Sequence, residues 1–338
     1  MTVDDRLPTM RDVARRAGVS LTTVSRVVNG QAVVRQETVA RVRDAIGALQ
    51  YQRNDIARSL RPGQRSATIG LVVPNLVQPH HSAIGSAVDQ VAHAHGHMLL
   101  LGTSDDDPAR ERDLVRTLLG RRVDGLLVVT CDADHRHLLV DGRVPIPTVF
   151  VDRPPCGVEV DHVVFDNRSG ARMAVEHLHA LGHRRIAYVG RGDDGAIYPS
   201  MERMRGYRES LSAAGLEVDP DLVRPGCRSV DDARRAVVEL LSLPRPPTAI
   251  LAANRVLAIG AVLALHAKPT QTALVSFGEF ELAEVLGATV VAHDPTALGR
   301  RAAEMLFARL QGDEGPPRRV VMPFRLLPRG SGEVPPPD

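Results

Sequence analysis

Four side chains packed into six residues, Leu21, Thr22, Ser25 and Arg26, have the chemistry needed to read the edges of base pairs. An apolar group suits a thymine methyl, hydroxyls serve a base or a phosphate, and an arginine fork matches the two acceptors of guanine. Other groupings invite different chemistry and fail on spacing. His80-His81, His93-His95-His97 and His135-His137 suggest a metal, but no carboxylate or cysteine stands beside them at ligand spacing. The middle cluster falls where a helix gives way to a strand around Gly96, and histidine suits a helix C-terminus. Gly190-Arg-Gly-Asp-Asp-Gly195 comes after a strand pattern in the manner of a dinucleotide loop, but Asp193 and Asp194 would repel phosphate and Pro199 breaks the stretch after them. Cys131, Cys156 and Cys227 are far apart and odd in number, which implies neither a zinc site nor a disulfide framework and fits a reducing cytoplasm. No nucleophile–base constellation stands out, and no metal or cofactor is expected.

The elements that position the base-reading group can be placed from pattern. Thr9 and Asp12 form a loose capping pair, and a first helix runs to about residue 17 with Val13, Ala14 and Ala17 on one face. Gly18 supplies the corner. Ser20 caps a second helix over residues 21–29 with Val24, Val27 and Val28 inward, and Asn29-Gly30 ends it. A third helix spans residues 37–49. Two helices joined at a glycine corner make a helix-turn-helix, whose second helix enters the major groove.

After Pro62-Gly63 the pattern changes to alternating strands and helices. Strands are expected at 69–73, 98–102, 125–130, 148–152, 185–190, 249–252 and 273–277. Helices are expected at 82–95, 108–119, 169–181, 202–214, 230–243, 257–266 and 295–310. That alternation means parallel sheets of the doubly wound kind, so the fold class is α/β with an all-α head. The tail after Pro328 is rich in Pro and Gly and is expected to be disordered.

Charge follows the same division. Residues 1–65 hold twelve arginines against six carboxylates, a net of +6, so the rest carries −4 of the chain's overall +2. A basic head on an acidic body is the footprint of a nucleic-acid-binding module attached to something else. A solute-binding module or an enzyme could use the same α/β body. A transport protein of that kind would carry a signal peptide and no helix-turn-helix, whereas residues 1–16 are polar and charged.

The run T-M-R-D-V-A-R-R-A-G-V-S-L-T-T-V-S-R-V-V-N-G over residues 9–30 closely resembles the signature of the lactose/galactose (LacI/GalR-type) repressor family. Further stretches come in family order: I-G-L-V-V-P-N, R-R-V-D-G-L-L-V-V, V-F-V-D-R-P, D-N-R-S-G-A-R-M-A-V-E-H-L, L-G-H-R-R-I-A-Y-V-G, R-M-R-G-Y and L-G-R-R-A-A-E-M-L-F. The resemblance implies a DNA-binding head over residues 1–50, a hinge over 51–65, and a body of two Rossmann-like, periplasmic-binding-protein-type subdomains. The first covers about 66–165 plus 294–322, the second about 166–293 plus 323–330, with a tail at 331–338. It implies a homodimer on a pseudo-palindromic double-stranded DNA operator and a small-molecule effector in the cleft. It adds Thr9, Thr23, Asn29, Tyr51, Asn54, Arg58, Leu60 and Arg61 to the DNA-contacting residues. Leu60 matches the family's wedge, which unstacks base pairs and bends the duplex. Residues 54–61 are too short to hold a helix alone in water, so this hinge orders only on DNA beside its dimer mate.

For the cleft the resemblance points to Asn75, His80, His81, Asp166, Arg203, Asn254, Arg255, Phe277, Gly278 and His293. Here the sequence departs from its relatives. The family's N-P-F-F reads Gln78-Pro79-His80-His81, its A-N-D reads Ala253-Asn254-Arg255, and the Asp that grips sugar hydroxyls is Gly278. His293 replaces a common Gln, while Arg203 is kept. Arginine forks and imidazoles suit carboxylate or phosphate oxygens better than neutral hydroxyls. The expected effector is therefore a sugar phosphate or sugar acid; alternatively Arg255 pairs with Glu279 and merely closes the cleft, or the site has lost its ligand.

Overall fold

A computed structural model describes residues 8–28, 34–51, 66–191, 198–268 and 270–337, and the chain divides into two compact units at Ser66/Ala67. The first unit holds α1 (Met10–Ala17), α2 (Leu21–Val28) and α3 (Gln36–Leu49) around a core of Val13, Ala14, Ala17, Val24, Val42 and Ala45. Gly18 closes α1 in the left-handed region at φ 63°, which costs a glycine nothing. Arg41 of α3 donates to the carbonyls of Ala17 and Gly18, so the corner is held from a third helix as well as by its own backbone.

The second unit contains two six-stranded sheets. In chain order it runs β1 (Thr68–Val73), α4 (Pro79–Ala94), β2 (Met98–Thr103), α5 (Pro108–Gly120), β3 (Gly125–Val128), β4 (Thr148–Val151), β5 (Asp161–Phe165), α6 (Asn167–Ala180), β6 (Ile186–Val189), α7 (Tyr198–Ala213), β7 (Val223–Arg224), α8 (Val230–Leu240), β8 (Ala249–Ala252), α9 (Arg255–Ala267), β9 (Ala273–Phe277), β10 (Thr289–Ala292), α10 (Pro295–Leu310), β11 (Arg319–Met322) and β12 (Arg325–Leu327). The first sheet is ordered β11-β5-β4-β3-β1-β2 and is parallel throughout. The second is ordered β12-β10-β9-β8-β6-β7, parallel except where β12 joins β10. The chain crosses between the sheets after β5, after β10 and after β11. Away from the edge strands β2, β7, β11 and β12, strand interiors are buried runs rich in Val, Ile, Leu and Ala, as a sheet covered on both faces requires. Gly299 lets α10 return onto α4 of the first subdomain; a Cβ there would sit 2.7 Å from the Ile84 carbonyl oxygen.

Three expectations need correction. Strands β5, β7, β10, β11 and β12 were not expected; β7 and β12 are only two and three residues long, and β11 lies on an edge where its side chains alternate between exposed and half-buried. Pro199 does not break the chain: it stands in the first turn of α7, where a missing N–H costs nothing. Residues 331–337 are tied down rather than disordered. Ser331 bonds the Leu274 carbonyl, Glu333 pairs with His177 at 2.6 Å and accepts from the Thr289 hydroxyl, and His183 donates to the Val334 carbonyl. Asn29, Asn54, Arg58, Leu60 and Arg61 lie outside the described residues, as does the hinge after Tyr51.

Candidate DNA-reading face and effector cleft

In the head, α2 presents an exposed face. Leu21, Thr22 and Arg26 are exposed, Ser25 is half-buried beside them, and Val24 beneath is fully buried. Residues three and four apart share a helix face, so this set forms one stripe. The Ser20 hydroxyl accepts the Thr23 N–H at 3.1 Å and lies 2.8 Å from the Thr23 hydroxyl. That cap frames the start of α2, where Thr23 points back at the cap rather than along the stripe. The Thr9 hydroxyl is likewise engaged, donating to Asp12 at 2.6 Å, and Tyr51 packs half-buried against the head's core. Both serve the fold in this structure, whatever else they touch.

The cleft lies at the carboxyl ends of the strands, where open α/β sheets gather loops and helix N-termini. Its cavity is about 670 Å³, the size of a small-molecule site. Of the ten residues expected there, His80, His81, Arg203, Asn254, Arg255, Phe277, Gly278 and His293 line it. Asn75 and Asp166 do not. Asn75 shapes the turn into α4, accepting the Gln78 N–H through its side chain and the His81 Nδ1–H through its carbonyl. Asp166 caps α6 by accepting from Ser169. Its neighbour Asn167, which sequence reasoning passed over, is the buried partner of Arg203.

Arg203 is the best-fixed cation. Its Nε donates to Asn167 at 2.8 Å, its Nη1 to the Ala253 carbonyl at 2.7 Å, and its guanidinium lies 4.1 Å from the Phe277 ring centre. Burial lowers its pKa to about 10, opposed by Asp152. Asp152 and Arg153, read from sequence as a strand end, are the main residues missed. Asp152 sits at φ 66°, a left-handed conformation in which Asp is tolerated, and faces His80 at 3.5 Å. Burial works to raise its carboxyl, but the charges of His80, Arg153 and Arg203 outweigh that and hold it well below the usual carboxylate range. Arg153 donates to the Thr130 carbonyl at 2.6 Å. The Thr130 hydroxyl in turn donates to buried Glu111, which also takes the Cys131 N–H. Thus Arg153 is placed by a buried network rather than by its own loop.

Arg191 and Arg228 also line the cavity, and burial lowers the Arg191 pKa. Arg255 opens α9 and pairs at 2.6 Å with Glu281, not with Glu279; Glu279 is taken by Arg329 at 2.6 Å. Asn254 caps α9 through its side-chain oxygen, leaving its amide for the cavity. His80 and His293 meet at 3.1 Å. Burial, then the charges of His80 and Arg203, pull His293 down to about 3, and burial with His80 pulls His81 down to about 4. Gly278 is at φ 88°, with the position of a Cβ 3.4 Å from the His293 ring.

A larger hollow of about 930 Å³ lies at the opposite, amino-terminal ends of β4 and β5. Its Arg309 is consumed by Asp161, with bonds of 2.8 Å, and by nearby carbonyls. It lacks the convergent unspent polar groups of the cleft. Elsewhere His95 stacks on Phe307 at 4.1 Å and His97 faces Asp124 at 3.4 Å. Among the described residues no group of three or more His, Cys, Asp or Glu is arranged to hold a metal ion.

These features meet known proteins along the whole chain. The lacI family of bacterial regulatory proteins matches residues 9–54, and a periplasmic binding protein-like domain matches residues 175–332. The transcriptional regulator CelR of Thermobifida fusca is 34% identical, over 97% of this chain and 99% of its own. A CelR–cellobiose complex matches with a TM-score of 0.70 at 32% identity, over 96% of this chain and 99% of that one. The ribose operon repressor of Escherichia coli K12 is 30% identical over 96% of this chain and 100% of its own. The lac repressor dimer bound to operator and an anti-inducer matches with a TM-score of 0.86 at 26% identity, over 97% and 99% of the two chains. A helix-turn-helix head with an exposed stripe on its second helix, a two-sheet body with a cleft, and relatives of this identity over nearly the full length together place this chain in the LacI family of DNA-binding transcriptional regulators.

Proposed function

We propose that the protein is a repressor in the cytoplasm that binds a pseudo-palindromic operator as a homodimer and is controlled by a small anionic, carbohydrate-like effector in its cleft. The observation that carries the effector class is the cation set around the cavity. Arg203 is fixed from behind, Arg153 is fixed by Thr130, and Arg191 and Arg228 join them. Five acids also line the cavity: Asp152 is held by its cationic neighbours, Asp106 faces Arg153 at 3.7 Å, Glu279 and Glu281 are taken by Arg329 and Arg255, and the charge of Glu284 acts on Arg329, against the six arginines 153, 191, 203, 228, 255 and 329. Preorganised arginines favour carboxylate or phosphate oxygens. CelR is seen with cellobiose. This chain has Arg255 and Gly278 where acids that hold sugar hydroxyls are expected, and so favours a sugar acid or sugar phosphate instead.

One head offers too small an interface for strong specificity, and two-fold dimers read inverted repeats. Apolar side chains exposed on the body, Val77, Met98 and Leu101 in the first subdomain and Leu282, Val285 and Leu286 in the second, are suited to joining two copies. Selection of bound genomic fragments tests the reading. It should return an inverted repeat bound two chains to one site, with affinity falling steeply as salt rises. Fragments without a shared sequence, or a monomer bound one-to-one, would refute it.

A further inference from the structure

Three polar groups in the cleft form a chain that ends without a partner. Asp152 Oδ1 lies 3.5 Å from His80 Nε2, and His80 Nδ1 lies 3.1 Å from His293 Nε2. His80 Nε2 and His293 Nδ1 are both shielded from solvent and make no hydrogen bond among the described residues, His80 Nε2 meeting Asp152 as a charge partner only. The chain straddles the subdomain junction: His80 is in the first turn of α4, Asp152 ends β4, and His293 stands in the crossing from β10 to α10. We propose that Asp152, His80 and His293 form a proton relay in which protonation of His80 turns His293 Nδ1 from a hydrogen-bond acceptor into a donor.

The reasoning is an inventory of protons. An ionised carboxylate only accepts, and its charge 3.5 Å away favours hydrogen on the His80 nitrogen that faces it in either state. When His80 is neutral its Nδ1 is bare and accepts from His293 Nε2–H. A neutral imidazole has one N–H, so His293 Nδ1 is then a bare acceptor. When His80 is charged its Nδ1–H donates to a bare His293 Nε2, and the one proton of His293 sits on Nδ1. One proton enters at His293 Nδ1 and the Nε2 proton shifts to His80, so the count balances without a second charge. The strongly depressed basicity of His293 agrees with its remaining neutral. The charged groups facing the pair are Asp152 and Arg153 from the end of β4 and Arg203 from α7, with His81 beside it on α4. The rings of Phe165 and Phe324 complete the surroundings of His293 at 4.8 and 5.4 Å.

Given that the cavity is the effector site, a reading on which this consequence rests, the relay makes ligand choice depend on pH. Gly278 leaves an approach to the His293 ring that any side chain would narrow. An anionic oxygen brought there as the cleft closes selects the charged relay and binds with uptake of one proton; a hydroxyl proton selects the neutral relay.

The test is long-range proton–nitrogen NMR on the full-length protein with ¹⁵N-labelled histidine, between about pH 8 and pH 5, the window in which imidazoles change charge. His293 should change from the Nε2–H to the Nδ1–H tautomer at the same midpoint at which His80 gains its charge. In Asp152→Asn that shared midpoint should move to lower pH. In folded His80→Phe the tautomer of His293 should stay fixed. A His293 tautomer that does not change while wild-type His80 titrates, or a His293 that becomes charged itself, overturns the relay. Neither ligand nor DNA is present, so such a failure leaves the effector reading untouched, and a cleft that binds no anion leaves the relay untouched.

Discussion

The head draws its chemistry from one eight-residue helix, while the cleft draws it from side chains spread from Gln78 to Arg329, with His80 and His293 in contact across 213 residues. In α2 the spacing of Leu21, Thr22, Ser25 and Arg26 is the helical repeat itself, so a shared face follows from sequence alone. In the cleft no periodicity links His80 with His293 or Arg203 with Asn167; only the strand order brings them together. Such a scaffold can therefore keep its reading helix while its cleft changes chemistry one strand end at a time.

The contrast should show in substitutions that affect one region alone. The largest effect is expected from Arg203→Leu, which removes a half-buried charge with two hydrogen bonds and a ring contact. Effector affinity should fall by about 2–5 kcal/mol while operator binding without effector is kept. Calorimetry and fluorescence anisotropy on the folded variant check the two halves. Loss of both together would mean that Arg203 serves the fold alone.

Arg26→Ala is the converse. It should cost about 1–3 kcal/mol on the operator and relax preference at one symmetric pair of positions, with effector binding unchanged. Equal weakening on every sequence would make Arg26 a phosphate contact.

A third expectation sets the body's stability against pH. His81, with a folded pKa near 4, stays neutral where the unfolded chain's histidine, at about 6.5, takes a proton. The unfolded state then binds more protons, so the contribution of His81 is full above about pH 6.5. It falls by up to about 1.4 kcal/mol per pH unit as pH drops towards 4. Thermal unfolding followed from pH 7 to pH 5 should show this slope, and His81→Gln should reduce it, with His293, held near 3, supplying part of what remains. An unchanged slope in the variant would assign the dependence elsewhere.

How much of this was legible in the sequence divides along the same line. Helix and strand cores followed from apolar period, and β8, β9 and α10 begin and end where the pattern places them. Helix starts did not: α4, α6, α7 and α9 each begin two to four residues before their expected starts at 82, 169, 202 and 257, because a capping Asn or Asp, or a proline, opens the turn. Those first turns carry His80, His81, Asn167 and Arg255, so an error that is small for the fold falls on the site. The partner of Arg255 was misjudged for a similar reason. The chain turns at Gly278, and Arg329, arriving beyond β12, takes Glu279 and leaves Glu281 to Arg255. Loop register of this kind has no counterpart in residue spacing. Asp152 and Arg153 were passed over because their roles depend on groups brought in by other strands.

The smallest effect is the most direct probe of the changed cleft. Arg255 is paired with exposed Glu281, so Arg255→Ala should cost an anionic effector under about 1 kcal/mol. The decisive measurement is calorimetry of the wild-type protein, and of this variant, with a matched trio: a neutral sugar, its phosphate and its acid. The account expects the phosphate or the acid to bind and the neutral sugar not to, with the variant slightly weaker for the anion. Tight binding of the neutral sugar, unaffected by Arg255→Ala, would contradict it.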